Sequence, residues 1–215
     1  MVAQNLVPAI RKTVYANEGG QPYVLSYARK GSSGASFGFM QSDMHMRDDA
    51  RDTMRQVLAA AGADQATVDR LVAALTPALP NGSPLSKADA DFVNAALSSD
   101  AGKALVDAQD ALILKGVLDN VDGCVAVAEA RSMTMAPLAL LYIAPWINMT
   151  GAPNSLKKWL GGNPLGGYPA PPAPPEVQGA QMEAYLKATK FFRENPRNFQ
   201  HFSDCVAVGA KLLPA

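Results

Sequence analysis

Apolar residues recur every three or four positions along much of this chain. Over residues 5–18 the stripe is Leu6, Val7, Ile10 and Val14, which predicts an amphipathic helix with Asn5 as a candidate cap. The same spacing predicts helices over Asp48–Ala61, ending before Gly62, and over Ala66–Leu75, ending before Pro77. Ser86-Lys87-Ala88-Asp89 reads as a helix start leading to about Leu97. A further helix is expected over Asp100–Leu118, closed by a polar loop at Asp119–Gly123. Residues 124–149 are apolar on every side, which places them at the centre of a domain, and Pro137 should kink or divide them. Ser155–Leu160 reads as a short helix, and two more are expected at about 177–194 and 199–213.

Two stretches break this rhythm. Residues 161–179 carry two Gly-Gly pairs and six prolines, too few backbone donors for sheet, and read as an extended surface segment or linker. Residues 22–43 shift toward β character. Tyr23–Tyr27 and Ser36–Gln41 flank a Gly/Ser turn at Arg29–Gly34, which predicts a small hairpin or irregular loop. The sum is a mainly α (α+β) fold with a buried central helix. A single domain over 1–215 is expected, with a break at 163–175 as the alternative. The residues after that break are too few for a core of their own and should pack back on the rest.

Composition narrows the function. Of 215 residues, 48% are hydrophobic and 18% charged, which suits a buried globular core rather than a disordered chain. Formal net charge is zero, so no long-range basic field favours nucleic acid, and avid binding to an anionic wall is mildly disfavoured. Arg29-Lys30 and Lys157-Lys158 remain as local basic patches. No membrane span is expected, because the longest apolar run, Ala136–Ile147, is short and holds Pro137 and Pro145. No metal or cofactor is expected. His201 and Cys205 lack further ligands, and Asp119–Gly123 lacks the spacing of a calcium loop. Cys124 and Cys205 lie in apolar contexts, where buried free thiols are the default and spacing does not settle a disulfide.

The residue with the most chemistry is Glu18. It closes the first helix on the face of Ile10 and Val14 and is followed by Gly19-Gly20. A carboxyl on a core-facing helix end is costly to ionise, so it is a candidate general acid. The plain alternative is a solvated terminus, in a place where the helix dipole favours cations.

Downstream lies Gly38-Phe39-Met40-Gln41-Ser42-Asp43. It resembles the Gly-x-Met-Gln-x-Asp stretch of goose-type lysozymes and, more loosely, the Gly-x-Met-Gln of lytic transglycosylases. In those families a catalytic Glu ends a helix some two dozen residues upstream, and here Glu18 lies 23 residues before Gln41. The resemblance spans about residues 5–62 at motif level. It implies a lysozyme-like fold and a muramidase-like glycosidase or phage endolysin acting on peptidoglycan. Gly19 stands where the families often have Ser. Tyr27 stands where phage-type lysozymes place an Asp.

On that resemblance Glu18 is the general acid. Asp43 is the nearest candidate second carboxylate, with Asp48 and Asp49 further along. Glycosidic cleavage needs a protonated carboxyl for the leaving oxygen and a second group to steady positive charge or position water. Gln41, Ser36 and Ser42 are candidates to hold that water or sugar hydroxyls; Tyr23, Tyr27 and Phe39 are candidates to stack on sugar rings. Against these stand plainer roles: Phe39 and Met40 in the core, Ser32, Ser33 and Ser36 as turn formers, Asp43 as a helix cap. Alternative activities are lytic transglycosylation, action on chitosan or chitin, or a non-catalytic glycan-binding or interaction module. Residues 1–10 lack the pattern of a signal peptide, so cytoplasmic synthesis and delivery to the periplasm or cell wall by a holin lesion or secretion machine are expected.

Overall fold

A computed structural model describes residues 1–27, 33–151 and 153–214. Arg29, Lys30 and Ser32, and with them most of the Arg29–Gly34 turn, lie outside the described residues. The fold is mainly α, 63% helix and 5% strand. The helices are α1 (Val7–Glu18), α2 (Asp48–Ala60), α3 (Gln65–Leu75), α4 (Lys87–Ser98), α5 (Asp100–Glu129), α6 (Pro137–Thr150), α7 (Asn154–Leu160), α8 (Gly179–Ala188), α9 (Lys190–Glu194) and α10 (Pro196–Ala210). Short strands are β1 (Ser26–Tyr27), β2 (Ala35–Phe37), β3 (Ser42–Asp43), β4 (Thr134–Met135) and β5 (Glu176–Val177).

The chain divides into two compact units. The first comprises Met1–Asn17 and Leu114–Ala215, the second Glu18–Ile113. The division falls at residues 17/18 and 113/114.

In the first unit, α6 is the central helix. Every residue from Ala139 to Ile147 is buried, and α8 and α10 pack on it. Pro137 opens α6 at its first position, where a missing N–H costs nothing, so the apolar run is divided at this proline. Aromatic rings fill the rest: Trp159 lies 4.8 Å from Tyr185, and Phe192 lies 5.1 Å from both Phe199 and Phe202. Both cysteines are free and buried.

Two expectations are corrected here. Asp119–Gly123 is not a loop, because α5 runs through it to Glu129. Val117, Val121, Cys124, Val125 and Ala128 continue the buried stripe beyond Gly123. Lys115 pairs with Asp119, and Asn120 Nδ2 donates to the Gly116 carbonyl. Burial of the apolar face outweighs the turn-like composition. The segment 161–179, in turn, ends in sheet. β5 pairs with β4 in parallel, Glu176 opposite Thr134 and Val177 opposite Met135. Donors come from the other strand: Thr134 N–H to the Pro175 carbonyl and Ala136 N–H to that of Val177. A proline supplies an acceptor as well as any residue does.

The second unit has an antiparallel ribbon ordered β1-β2-β3, with Ser26 opposite Ser36 and Phe37 opposite Ser42. The expected hairpin near 22–43 is thus three strands. Phe37, Met44, Met54, Leu58, Leu71 and Leu97 are wholly buried beneath it. The second unit also holds α2, α3, α4 and the part of α5 up to Ile113.

Candidate functional site

Glu18 is half-buried at the last position of α1, and the chain leaves the helix through Gly19 at φ 65°. Leu6, Ile10 and Val14 on its helix face are buried, as the stripe predicts. The chain then returns along β1 and β2 to the turn Gly38–Gln41, which joins β2 to β3.

That turn comes back to Gly20. The Gln41 amide lies so close that a Cβ on Gly20 would come within 2.2 Å of Nε2. Gln41 Nε2 donates to the Gly38 carbonyl at 3.1 Å, and Ser26 Oγ donates to Gln41 Oε1 at 2.8 Å. Gln41 holds φ 49°, a left-handed backbone that a non-glycine residue adopts at a cost. Two parts of the motif far apart in sequence therefore converge: Gly20, two residues beyond Glu18, and Gln41.

Tyr23 and Tyr27 are both half-buried, Tyr23 three residues before β1 and Tyr27 its last residue. The Tyr23 ring meets Phe39 edge-on with centroids 6.4 Å apart. Its hydroxyl donates to Asp107 at 2.8 Å, and the Lys103 ammonium lies 5.7 Å from the ring centre. Tyr27 donates to Ser83 Oγ at 3.2 Å.

Of the remaining expected residues, the two serines face inward, Asp43 is half-buried, and Asp48 and Asp49 are exposed. Ser42 is wholly buried and Ser36 only 7% exposed. Contact with a polymer needs accessible surface, so these two serines build the ribbon and do not themselves meet sugar hydroxyls. Asp43 uses Oδ1 to accept the backbone N–H of Gly34, His45 and Met46. It organises the turn that leads into α2, whose cap position is Arg47. Asp49 pairs with Arg47, which holds its carboxyl below the usual range, and Asp48 pairs with Arg51.

Sequence reading missed Asp110. It lies in mid-α5, 1% exposed, and its two oxygens take two successive amides: Phe39 N–H to Oδ2 at 2.7 Å and Met40 N–H to Oδ1 at 3.0 Å. Burial pushes its carboxyl up to about 6, against the pull of those two N–H donors, and the nearby Asp107 charge adds to the rise. Gly38 explains itself here. Its φ is +79°, and a Cβ would come within 2.5 Å of Asp110 Oδ1. The signal was present in the sequence: Asp110 is four residues from Val106 and four from Leu114, both buried, so it is flush with the apolar stripe of α5.

Cavities among the described residues lie elsewhere. One of about 430 Å³ is lined by Glu183, Lys187, Phe192, Arg193, Phe199 and Ser203 among others. Another, about 720 Å³, lies between His45, Arg51, Arg55 and Asp69. A third, about 230 Å³, involves Asn17, Met149 and His201. Among the described residues no helix is long and apolar enough to cross a membrane. Compared with known proteins, the chain matches no protein-family model, no curated protein and no solved structure.

Proposed function

We propose that this chain is a lysozyme-like glycosidase that cuts the glycan strand of peptidoglycan, with Glu18 as general acid. The observation that carries the reading is the seating of Gln41 against Gly20, next to the helix end that presents Glu18. A half-exposed carboxyl, an amide held by Ser26, and the rings of Tyr23 and Phe39 form the parts such a reaction needs. Glu18 gives its proton to the leaving glycosidic oxygen. Gln41 steadies a water or a sugar hydroxyl, and the aromatic rings support the sugar faces. Asp43 remains a candidate for the second carboxylate through Oδ2, since Oδ1 is engaged with three amides.

That engagement favours a second reading within the same chemistry. A carboxylate tied into a turn is poorly free to act as base, so a single-acid route assisted by the sugar itself, as in lytic transglycosylases, follows if Asp43 only shapes the loop. The neutral formal charge leaves chitosan or chitin as related substrates. Delivery by a holin lesion or a secretion machine accounts for access to the wall. A glycan-binding module without turnover is the rival from another class.

Turbidity of purified peptidoglycan suspensions tests the reading. The wild-type protein should clear them, and Glu18→Gln, folded as judged by circular dichroism, should clear them about 10²–10⁴-fold more slowly. Equal rates for the two proteins would remove Glu18 from the mechanism.

A further inference from the structure

We propose that Asp110 is the positioning residue of the Glu18 site: its ionised carboxylate clamps the Gly38–Gln41 turn in the shape that seats Gln41 beside Gly20, and protonation loosens that clamp. The inference rests on the glycosidase reading for its consequence in activity, but the clamp itself stands on geometry.

Both oxygens of Asp110 are used, one per amide, on consecutive residues of the turn. The next residue is Gln41, in its left-handed conformation. Such strain persists only where the surroundings hold it. On the Gln41 side the support is light: a 3.3 Å backbone bond from Gln41 N–H to the Gly38 carbonyl and the side-chain bonds to Gly38 and Ser26. On the other side the carboxylate accepts two N–H groups where water is excluded, and hydrogen bonds to a charged acceptor are the stronger kind. The absence of a Cβ at Gly38 lets the turn close onto the carboxylate.

Protonation changes this balance. A carboxylate is acceptor only; a carboxylic acid has one hydroxyl, a weaker acceptor with a hydrogen of its own to place. One of the two amides then faces that hydroxyl instead of an anionic oxygen. With its carboxyl pushed up to about 6, Asp110 makes this change near neutrality. Among the described residues, the charge acting on it is that of Asp107, one turn before it on α5. Asp107 accepts the Tyr23 hydroxyl, and Lys103 lies over that ring. The turn packed against Asp110, Gly38–Gln41, carries no titratable group. On α2, Thr53 donates to Gln109, the residue before Asp110, and Asp49, paired with Arg47, also interacts with Gln109.

The test is an NMR titration of the full chain, wild type and Asp110→Asn, paired with the pH profile of peptidoglycan clearing. In the wild type the Phe39 and Met40 amide protons and the Gln41 side-chain amide should shift together with a midpoint near 6. The acidic limb of the activity profile should share that midpoint. In Asp110→Asn both titrations should vanish, and activity should be lower with no such acidic limb. Flat Phe39 and Met40 amides in the wild type overturn the clamp, and this needs no variant. So does a Gln41 amide that stays still while those two titrate, or a wild-type acidic limb retained in Asp110→Asn. A wild type that clears no wall material at any pH would sink the glycosidase reading instead, and the amide titration would still decide the clamp.

Discussion

In the first unit the largest fully buried side chains are Trp159, Tyr185 and Phe202, and rings are among their neighbours. Two polar tips there find local partners, Trp159 Nε1 donating to the Pro169 carbonyl and Tyr185 to Ser155 Oγ, while the buried Trp146 Nε1 finds none among the described residues. In the second unit a core of Phe37, Met54 and Leu58 coexists with a wholly enclosed carboxyl, Asp110, whose partners are the amides of a strained turn. The first region can be accounted for by apolar burial and ordinary hydrogen bonding. The second cannot, since an aliphatic residue at position 110 would pack with less desolvation cost but would leave the Phe39 and Met40 amides without acceptors. A buried charge kept in place of a simpler solution is where a site is expected.

This contrast can be broken at its strongest point first. Trp159→Ala should cost about 3–5 kcal/mol of stability, read as a lower midpoint in denaturant, because it empties a ring-lined core. Clearing rate per folded molecule should be unchanged. A parallel loss of specific activity would mean that the aromatic unit also shapes the site.

Next is the pH dependence of stability. The Asp110 carboxyl has a folded value raised to about 6 from an ordinary 3.8, so the folded state binds the extra proton between those values. Its contribution is therefore present at and below pH 3.8 and is lost as pH rises through 6, on the order of 2–3 kcal/mol in all. The pH dependence of the denaturant midpoint across that range should differ between wild type and Asp110→Asn by this amount: the decline belongs to the wild type. An identical slope in the two proteins would show that Asp110 does not titrate there.

The smallest effect concerns Asp43. Asp43→Asn keeps an oxygen for the three amides, so stability should change by only a few tenths of a kcal/mol, whereas Asp43→Ala should cost about 1 kcal/mol, as a lost capping side chain does. Turnover sharpens the assignment. A large fall in kcat for Asp43→Asn with KM unchanged supports a second carboxylate that acts in the transition state; an unchanged kcat leaves Asp43 as a turn former and favours the single-acid route.

Much of this architecture was legible in the sequence because it follows from periodicity. The helix ends near Glu18, Ala60, Leu75 and Ser98 coincide with the ends of apolar stripes. Gly38 and Gln41 were visible as a motif, and their need for special backbone shapes is what the turn displays. Residues 119–123 misled because local turn composition was read without the stripe that continues beyond it. The β4–β5 ladder was hidden because its donors lie some forty residues from their acceptors, the carbonyls of Pro175 and Val177. The burial of Asp110 was legible from the stripe of Val106 and Leu114, but its partners were hidden for the same reason as the ladder. The chain folds two amides onto this aspartate, a pairing 70 residues long that no local pattern encodes.

The central claim is that Glu18 acts as a proton donor for glycosidic cleavage, and the mass of what leaves the polymer tests it most directly. Purified peptidoglycan glycan strands incubated with the wild-type protein should yield saccharide fragments, with reducing ends if water is the acceptor and anhydro ends if the sugar closes on itself. Glu18→Gln should yield neither over the same period. Strands that stay intact with the folded wild-type protein, or the same fragments at the same rate from Glu18→Gln, would contradict the account.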